Sequence, residues 1–260
     1  MPASQIYFAS DFHLGIDARL TSREREKQIV GWLHSIASEC AHLYLVGDLF
    51  DFWFEYGQVI PKGYTRLLGS LAELVDSGIP VTVFTGNHDL WMFGYLEEEL
   101  GVIVHREQPI QVQHHGKKFL IGHGDGLGPH DRGYKLLKKI FTNPLAQWSF
   151  ARLHPNLGMR VAQFWSGKSR KANVQMESFQ KLEQEWLFEY ACAQQQADPV
   201  DYYVFGHRHL PIDAAIPGSN ARYINLGDWL HHNSFGIFDG ENIRLEFYQT
   251  DNRTIYPVSR

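Results

Sequence analysis

Carboxylates and imidazoles gather in five short clusters: Asp11-Phe12-His13, Gly47-Asp48, Gly86-Asn87-His88-Asp89, Gly122-His123 and Gly206-His207-Arg208-His209. Aspartate and histidine ligate divalent ions, and asparagine adds a neutral oxygen. Cysteine is missing from the set, and a mixed nitrogen/oxygen site fits manganese, iron or zinc rather than soft-metal or iron–sulfur chemistry. A carboxylate carries two oxygens with several lone-pair sites, so Asp48 is placed to bridge two ions. Asp11, His13, Asp48 and His209 are assigned to one ion, and Asp48, Asn87, His123 and His207 to the other. Two ions roughly 3.5–4 Å apart clamp a phosphoryl oxygen, stabilise developing charge and lower the pKa of a bound water towards neutrality. His88 stands outside this set as the candidate for stabilising the transition state or protonating the leaving oxygen. Asp89 is expected either to orient His88 through a hydrogen bond or to stabilise its own turn.

Each cluster alone says little. A lone Asp-x-His is more often a surface accident, and a lone His123 more often a satisfied structural histidine. His114-His115 and His231-His232 read as ordinary hairpin or exposed residues and are kept out of the site. Five clusters in order, each directly after an apolar run, make a specific signal.

The elements that position them follow from periodicity. Gln5 to Ser10 reads as a strand, and an amphipathic helix follows from about Ser22 to Ser38, with Ile29, Trp32, Leu33 and Ile36 on one face. Leu43 to Val46 and Val81 to Phe84 read as buried parallel strands. A helix from about Gly63 to Asp76 lies between them, and a short helix is expected over Leu90 to Leu100, before a strand at Val102 to His105. Strands separated by helices imply right-handed βαβ units. Ile110 to Ile121 then reads as a hairpin turning at His115-Gly116-Lys117. A long helix is expected from Asn173 to Gln195. Strands follow at Tyr202 to Phe205, Ala221 to Asn225, Ser234 to Phe238 and Ile243 to Tyr248, with Asp239-Gly240 as a turn in the last hairpin. Ligands collect at the carboxyl ends of such strands, so the five clusters should converge.

The 260 residues are 44% apolar, enough for a sizeable core. No apolar run reaches the length of a transmembrane helix, and Ile6-Tyr7-Phe8-Ala9 begins without a basic leader before it. Two distant cysteines, Cys40 and Cys192, fit a reduced, cytoplasmic protein. Between Arg132 and Lys171 nine Lys/Arg occur without one Asp or Glu, while the remainder carries fifteen basic against all twenty-nine acidic residues. A cationic segment on an acidic body points to an anionic partner. Leu136, Leu137, Ile140, Phe141, Leu145, Trp148, Phe164 and Trp165 interleave with the basic residues. Such a segment is either a packed helical stripe or a surface for a lipid headgroup, its chains or a membrane. Nucleic acid ranks last, because no recognised module accompanies the charge.

The ordered set of clusters resembles the calcineurin-like metallophosphoesterase superfamily over nearly the whole chain outside the insertion. The resemblance implies an α/β fold, a four-layer α/β/β/α sandwich as one domain over 1–260 with a helical lid at 128–172, and two divalent ions, usually manganese. Within the superfamily the chain is similar to the UDP-2,3-diacylglucosamine pyrophosphohydrolase family of lipid A biosynthesis. The matching elements are Asp51-Phe52-Trp53, Asp131-x-Gly133-Tyr134, Ser169-Arg170-Lys171-Ala172-Asn173 and Leu226-Gly227-Asp228-Trp229. In that family the lid holds two acyl chains, and residues matching Asp131, Ser169 and Asn173 contact the glucosamine diphosphate. Tyr134, Arg170 and Lys171, in the same motifs, join them as substrate-binding candidates. The implied reaction splits a lipid-linked nucleotide into lipid X and UMP at the cytoplasmic face of a membrane, with the protein bound peripherally. Two positions depart from the pattern: His88 stands where the best-known members carry arginine, and Met176 where a lysine contacts substrate. Hydrolysis of another nucleotide diphosphate, phosphodiester or lipid phosphate is the alternative. A non-catalytic scaffold would show missing ligands.

Overall fold

The runs Ile6-Tyr7-Phe8-Ala9 and Leu43-Tyr44-Leu45-Val46 are buried on both faces, because one face meets helices and the other meets a second sheet. The computed structural model describes residues 4–128, 132–162, 179 and 181–257, and residues 132–134 by backbone alone. Strands β1 (Gln5–Ala9), β2 (Cys40–Val46), β3 (Val81–Phe84) and β4 (Ile103–His105) run parallel, and β10 (Ser234–Phe238) and β11 (Ile243–Phe247) extend them antiparallel in the order β11-β10-β1-β2-β3-β4. The second sheet has the order β5-β6-β7-β9-β8, from β5 (Ile110–His114), β6 (Lys117–Gly122), β7 (Tyr202–Phe205), β8 (Pro211–Ala215) and β9 (Arg222–Leu226). Its centre, β6-β7-β9, is parallel.

Side chains alternate across each strand, so three cores form. Tyr7, Ala9, Leu43 and Leu45 pack under α1 (Ser22–Ile36), α2 (Thr65–Asp76) and α3 (Tyr95–Leu100). Ile6, Phe8, Tyr44, Val46 and Phe84 meet Phe119, Ile121, Val204 and Ile224 between the sheets. Tyr203, Phe205 and Tyr223 pack against Leu187, Phe188 and Ala191 of α7 (Trp186–Ala197). These are the expected four layers. Helix α1 begins at a Thr21–Glu24 capping box and buries Ile29, Trp32, Leu33 and Ile36 as its spacing predicts. The segment expected to be a lid forms, among the described residues, α4 (Arg132–Phe141), α5 (Pro144–Phe150) and helical residues 155–162 (α6).

Three elements differ from expectation. The helix expected from Leu90 starts only at Tyr95, because the Glu55 carboxylate accepts the N–H groups of Phe93, Gly94 and Tyr95 and fixes its start there. Within 181–197, the long helix expected from Asn173 is a short 3-10 turn, Leu182–Gln184, then an extended Glu185, before α7 begins. Glu185 is held instead by the Arg208 guanidinium, at 2.6 and 2.9 Å. Strand β8 carries no strand signal of its own in the sequence, since it opens on Pro211. It is an edge strand, where a missing N–H is tolerated.

At the end of the inter-sheet core away from the clusters, His42 stacks on Tyr44 at 4.1 Å and lies 2.9 Å from Thr82 Oγ1. Burial, helped by His114, pushes its imidazole down to about 4. Between that value and the ordinary 6.5 the unfolded chain takes up a proton that the folded chain refuses, so stability falls as pH drops through this window. The ceiling is about 1.4 kcal/mol per pH unit, reduced by partial exposure. Urea unfolding at pH 7 and pH 5 should show a smaller acid loss for His42→Gln than for the wild type. Equal losses would refute the assignment.

Candidate metal centre

Every ligand candidate leaves the carboxyl end of a parallel strand. Asp11 and His13 follow β1, Asp48 follows β2, Asn87 and His88 follow β3, His123 follows β6, and His207 and His209 follow β7. The two loops of the first sheet are laced together by Asp11 N donating to Gly47 O and His13 N to Asp48 O. The buried Arg25 guanidinium closes the first loop from beneath, donating to Phe12 O, His13 O and Ile16 O at 2.7–2.9 Å. Five of the ligand candidates, Asp11, His13, Asp48, His207 and His209, sit in the left-handed backbone region, with φ between 44° and 69°. Two glycines are needed by proximity. A Cβ on Gly206 would lie 2.6 Å from Asp11 Oδ2, and one on Gly86 would overlap Asp48 Oδ1.

The side chains form two adjoining clusters. In one, His209 Nε2 is 3.3 Å from Asp11 Oδ1 and 3.2 Å from His13 Nε2, which is 3.6 Å from Asp11 Oδ1. In the other, His123 Nε2 is 3.3 Å from Asp48 Oδ2 and 3.2 Å from Asn87 Oδ1, with His207 in the same group. Asp48 Oδ2 also lies 3.7 Å from His13 Nε2 and so belongs to both. Ligand atoms about 2.0–2.2 Å from one ion stand roughly 3–3.6 Å apart across its polyhedron, which is the spacing found. The donors therefore fit two divalent ions. Of the two Asp48 oxygens, Oδ2 would be the one to serve both ions, since it faces both clusters while Oδ1 accepts the His88 N–H at 2.8 Å.

The electrostatics tell the same story. Burial opposes charge on Asp48, yet His123, His88 and His13 hold its carboxyl well below the usual range. Burial also opposes charge on His13 and His123, but Asp11 and Asp51 lift the first to about 9, and Asp48 lifts the second to about 10. Protons on these rings balance the carboxylates where cations are the natural counter-charge. His207, crowded by burial and by His123, is pushed down to about 4.

Asp89 does not orient His88 but stabilises its own turn. Its oxygens accept four backbone N–H groups, from Gly86, Asp48, Leu49 and Phe50, at 2.6–3.3 Å. It clamps the Asp48 loop to the Gly86 turn, while His88 Nδ1 lies 3.0 Å from the Asp51 carbonyl. Asp51, three residues after Asp48, also places a carboxylate oxygen 3.7 Å from Nδ1 of both His13 and His88. Its spacing from Asp48 was the available signal. His231 is exposed as expected, but His232 is buried, with Nδ1 3.0 Å from Asp228 Oδ1. Of the substrate-contact candidates, Asp131, Ser169, Arg170, Lys171 and Asn173 lie outside the described residues, as do Met176 and the side chain of Tyr134.

A four-layer sandwich with two mixed Asp/His clusters sharing one aspartate defines a metal-dependent phosphoesterase. The calcineurin-like phosphoesterase family matches residues 4–211, and the chain belongs to that family. It is 39% identical over 256 residues to a UDP-2,3-diacylglucosamine hydrolase of Porphyromonas gingivalis, covering 94% of this chain and 97% of that protein. Proteins of the same name from Edwardsiella ictaluri and Yersinia pseudotuberculosis are each 28% identical, covering 92% of this chain and 90% and 96% of theirs.

Proposed function

We propose that the protein hydrolyses the diphosphate of UDP-2,3-diacylglucosamine, giving UMP and 2,3-diacylglucosamine 1-phosphate (lipid X) in lipid A biosynthesis. The observation that carries this is near-full-length similarity to a hydrolase of that name, together with a complete ligand set at the strand ends. Asp11, His13, Asp48 and His209 would hold one divalent ion, and Asp48, Asn87, His123 and His207 the other, with manganese the proposed metal. When bound, such ions neutralise phosphoryl charge and make water acidic enough to attack near neutral pH. The chain's own residues do the rest. Asp89 fixes the Asp48 loop, and the Asp51 carbonyl orients His88. One P–O bond of the anhydride breaks as a water oxygen joins phosphorus, and the departing phosphate takes a proton or hydrogen bond from His88.

The lid supports a lipid substrate. It is anchored by Lys138 Nζ donating to the buried Asp125 carboxylate at 2.6 Å and by Trp91 Nε1 donating to Phe141 O at 2.8 Å. Phe150 of α5 packs on Phe54 and Trp91 beneath it. Its outer side leaves Leu136, Leu145 and Trp148 63%, 71% and 56% exposed, beside Lys135, Lys139 and Arg152. Among the described residues no helix is long and apolar enough to cross a membrane, and a basic apolar surface of this kind binds at the interface instead. We read the protein as cytoplasmic and peripheral on the membrane. Leu145→Ser with Trp148→Ser should weaken partition onto anionic vesicles about tenfold or more, as two apolar anchors are withdrawn. Unchanged sedimentation with vesicles would remove the membrane role.

Purified protein with added Mn2+ should release UMP from UDP-2,3-diacylglucosamine far faster than it cleaves ADP-ribose or bis-p-nitrophenyl phosphate. Activity on the soluble esters alone would leave the phosphoesterase standing and overturn the substrate.

A further inference from the structure

His209 turns Nε2 towards Asp11 and His13, and Nδ1 the other way, into a wholly buried carboxylate on a loop that none of the five clusters includes. That carboxylate is Asp228, two residues after β9, with Oδ2 3.5 Å from His209 Nδ1. Among the described residues neither atom has any other partner, and both are buried. The other oxygen, Oδ1, accepts the backbone N–H groups of His231 and His232 and lies against His232 Nδ1, each at 3.0 Å. The next residue locks the loop, since Trp229 N donates to Asp11 O at 3.1 Å and its ring packs edge-on to Phe12 at 5.5 Å. Asp228 is thus fixed from two sides, with one oxygen spent on its own loop and the other aimed at a single imidazole.

We propose that Asp228 is a positioning residue for the ion held by Asp11, His13, Asp48 and His209, keeping the proton of His209 on Nδ1 so that the Nε2 lone pair faces the ion. A neutral imidazole presents only one lone pair, and a buried Nδ1–H without an acceptor is costly. Oδ2 is the acceptor that satisfies it, and His232 braces the carboxylate from the opposite side. Asp228→Asn keeps the Oδ1 contacts and presents an amide N–H towards His209 Nδ1, which favours the wrong tautomer.

The inference rests on the two-ion reading, and Mn2+ binding to the metal-free chain separates the two. The wild type should take up two ions. Asp228→Asn should bind one of them about 10–100-fold more weakly and leave the other unchanged. In a His209→Ala background the same substitution should weaken nothing further, because its effect travels through that ring. Histidine nitrogen NMR of the zinc-loaded wild type should report His209 protonated at Nδ1, a signal lost in Asp228→Asn. If Asp228→Asn does not fold, His232→Gln should give a smaller loss confined to the same ion. A wild type binding no Mn2+ overturns the metal assignment and this inference with it. A wild type binding two ions, with Asp228→Asn or its substitute weakening neither ion or both equally, overturns the inference alone.

Discussion

Asp48→Asn should empty both ion sites together. One oxygen, Oδ2, faces His123 Nε2 at 3.3 Å and His13 Nε2 at 3.7 Å, so it touches an imidazole of each cluster. The amide is nearly the same size, so the packing around it survives. Its oxygen can still accept the His88 N–H, which leaves an NH2 group facing both clusters. A donor there repels cations that the carboxylate would attract. Turnover should fall at least about a thousandfold, beyond what loss of a single hydrogen-bond donor to an oxyanion costs. Bound manganese after desalting should drop from two per chain to below one. Two ions retained by the variant would show that Asp48 does not bridge.

His88→Ala should act in the opposite manner, lowering turnover about 10^2–10^4-fold, the range of a lost acid–base group, while both ions stay bound. His88 lies beside the clusters: its ring meets His13 edge-on at 5.0 Å, and its Nδ1 turns to the Asp51 carbonyl. Burial pushes its imidazole down and His13 adds to that, while Asp48 and Asp51 pull the other way. His88→Arg separates two roles. Arginine keeps charge and donors but does not release a proton near neutrality. Activity recovered by arginine assigns His88 to charge stabilisation, whereas activity as low as in the alanine variant assigns it to proton delivery. Loss of metal from His88→Ala would make it a ligand instead.

The clustering at the candidate metal centre was largely legible because each candidate ligand follows a buried strand, and parallel strands gather their carboxyl ends. The apolar runs at Ile6, Leu43, Val81 and Tyr202 fixed where those ends lie. Asp51, Asp228 and Arg25 were harder to see. Their partners are carbonyls and imidazoles from other loops, so their local sequence does not show which groups they meet. Asp228 did leave a trace, since Leu226-Gly227-Asp228 repeats the strand–Gly–Asp form of Val46-Gly47-Asp48. The helix expected from Asn173 failed within 181–185 for a related reason. The stripe Leu182, Trp186 and Leu187 is helical in period, but the pull of Arg208 on Glu185 comes from the loop after β7, distant in sequence.

The left-handed backbone at Asp11, His13, Asp48, His207 and His209 has an evolutionary consequence. Each such residue costs roughly 1–2 kcal/mol relative to ordinary backbone, and glycine at the same positions carries no such penalty. In a lineage released from selection for catalysis, glycine substitutions at these five positions would relieve strain rather than create it. Decay would then begin at the ligands while the three cores stayed intact, leaving descendants that keep the sandwich, tolerate its former active edge as plain loops, and unfold at higher temperature than their metal-free ancestor.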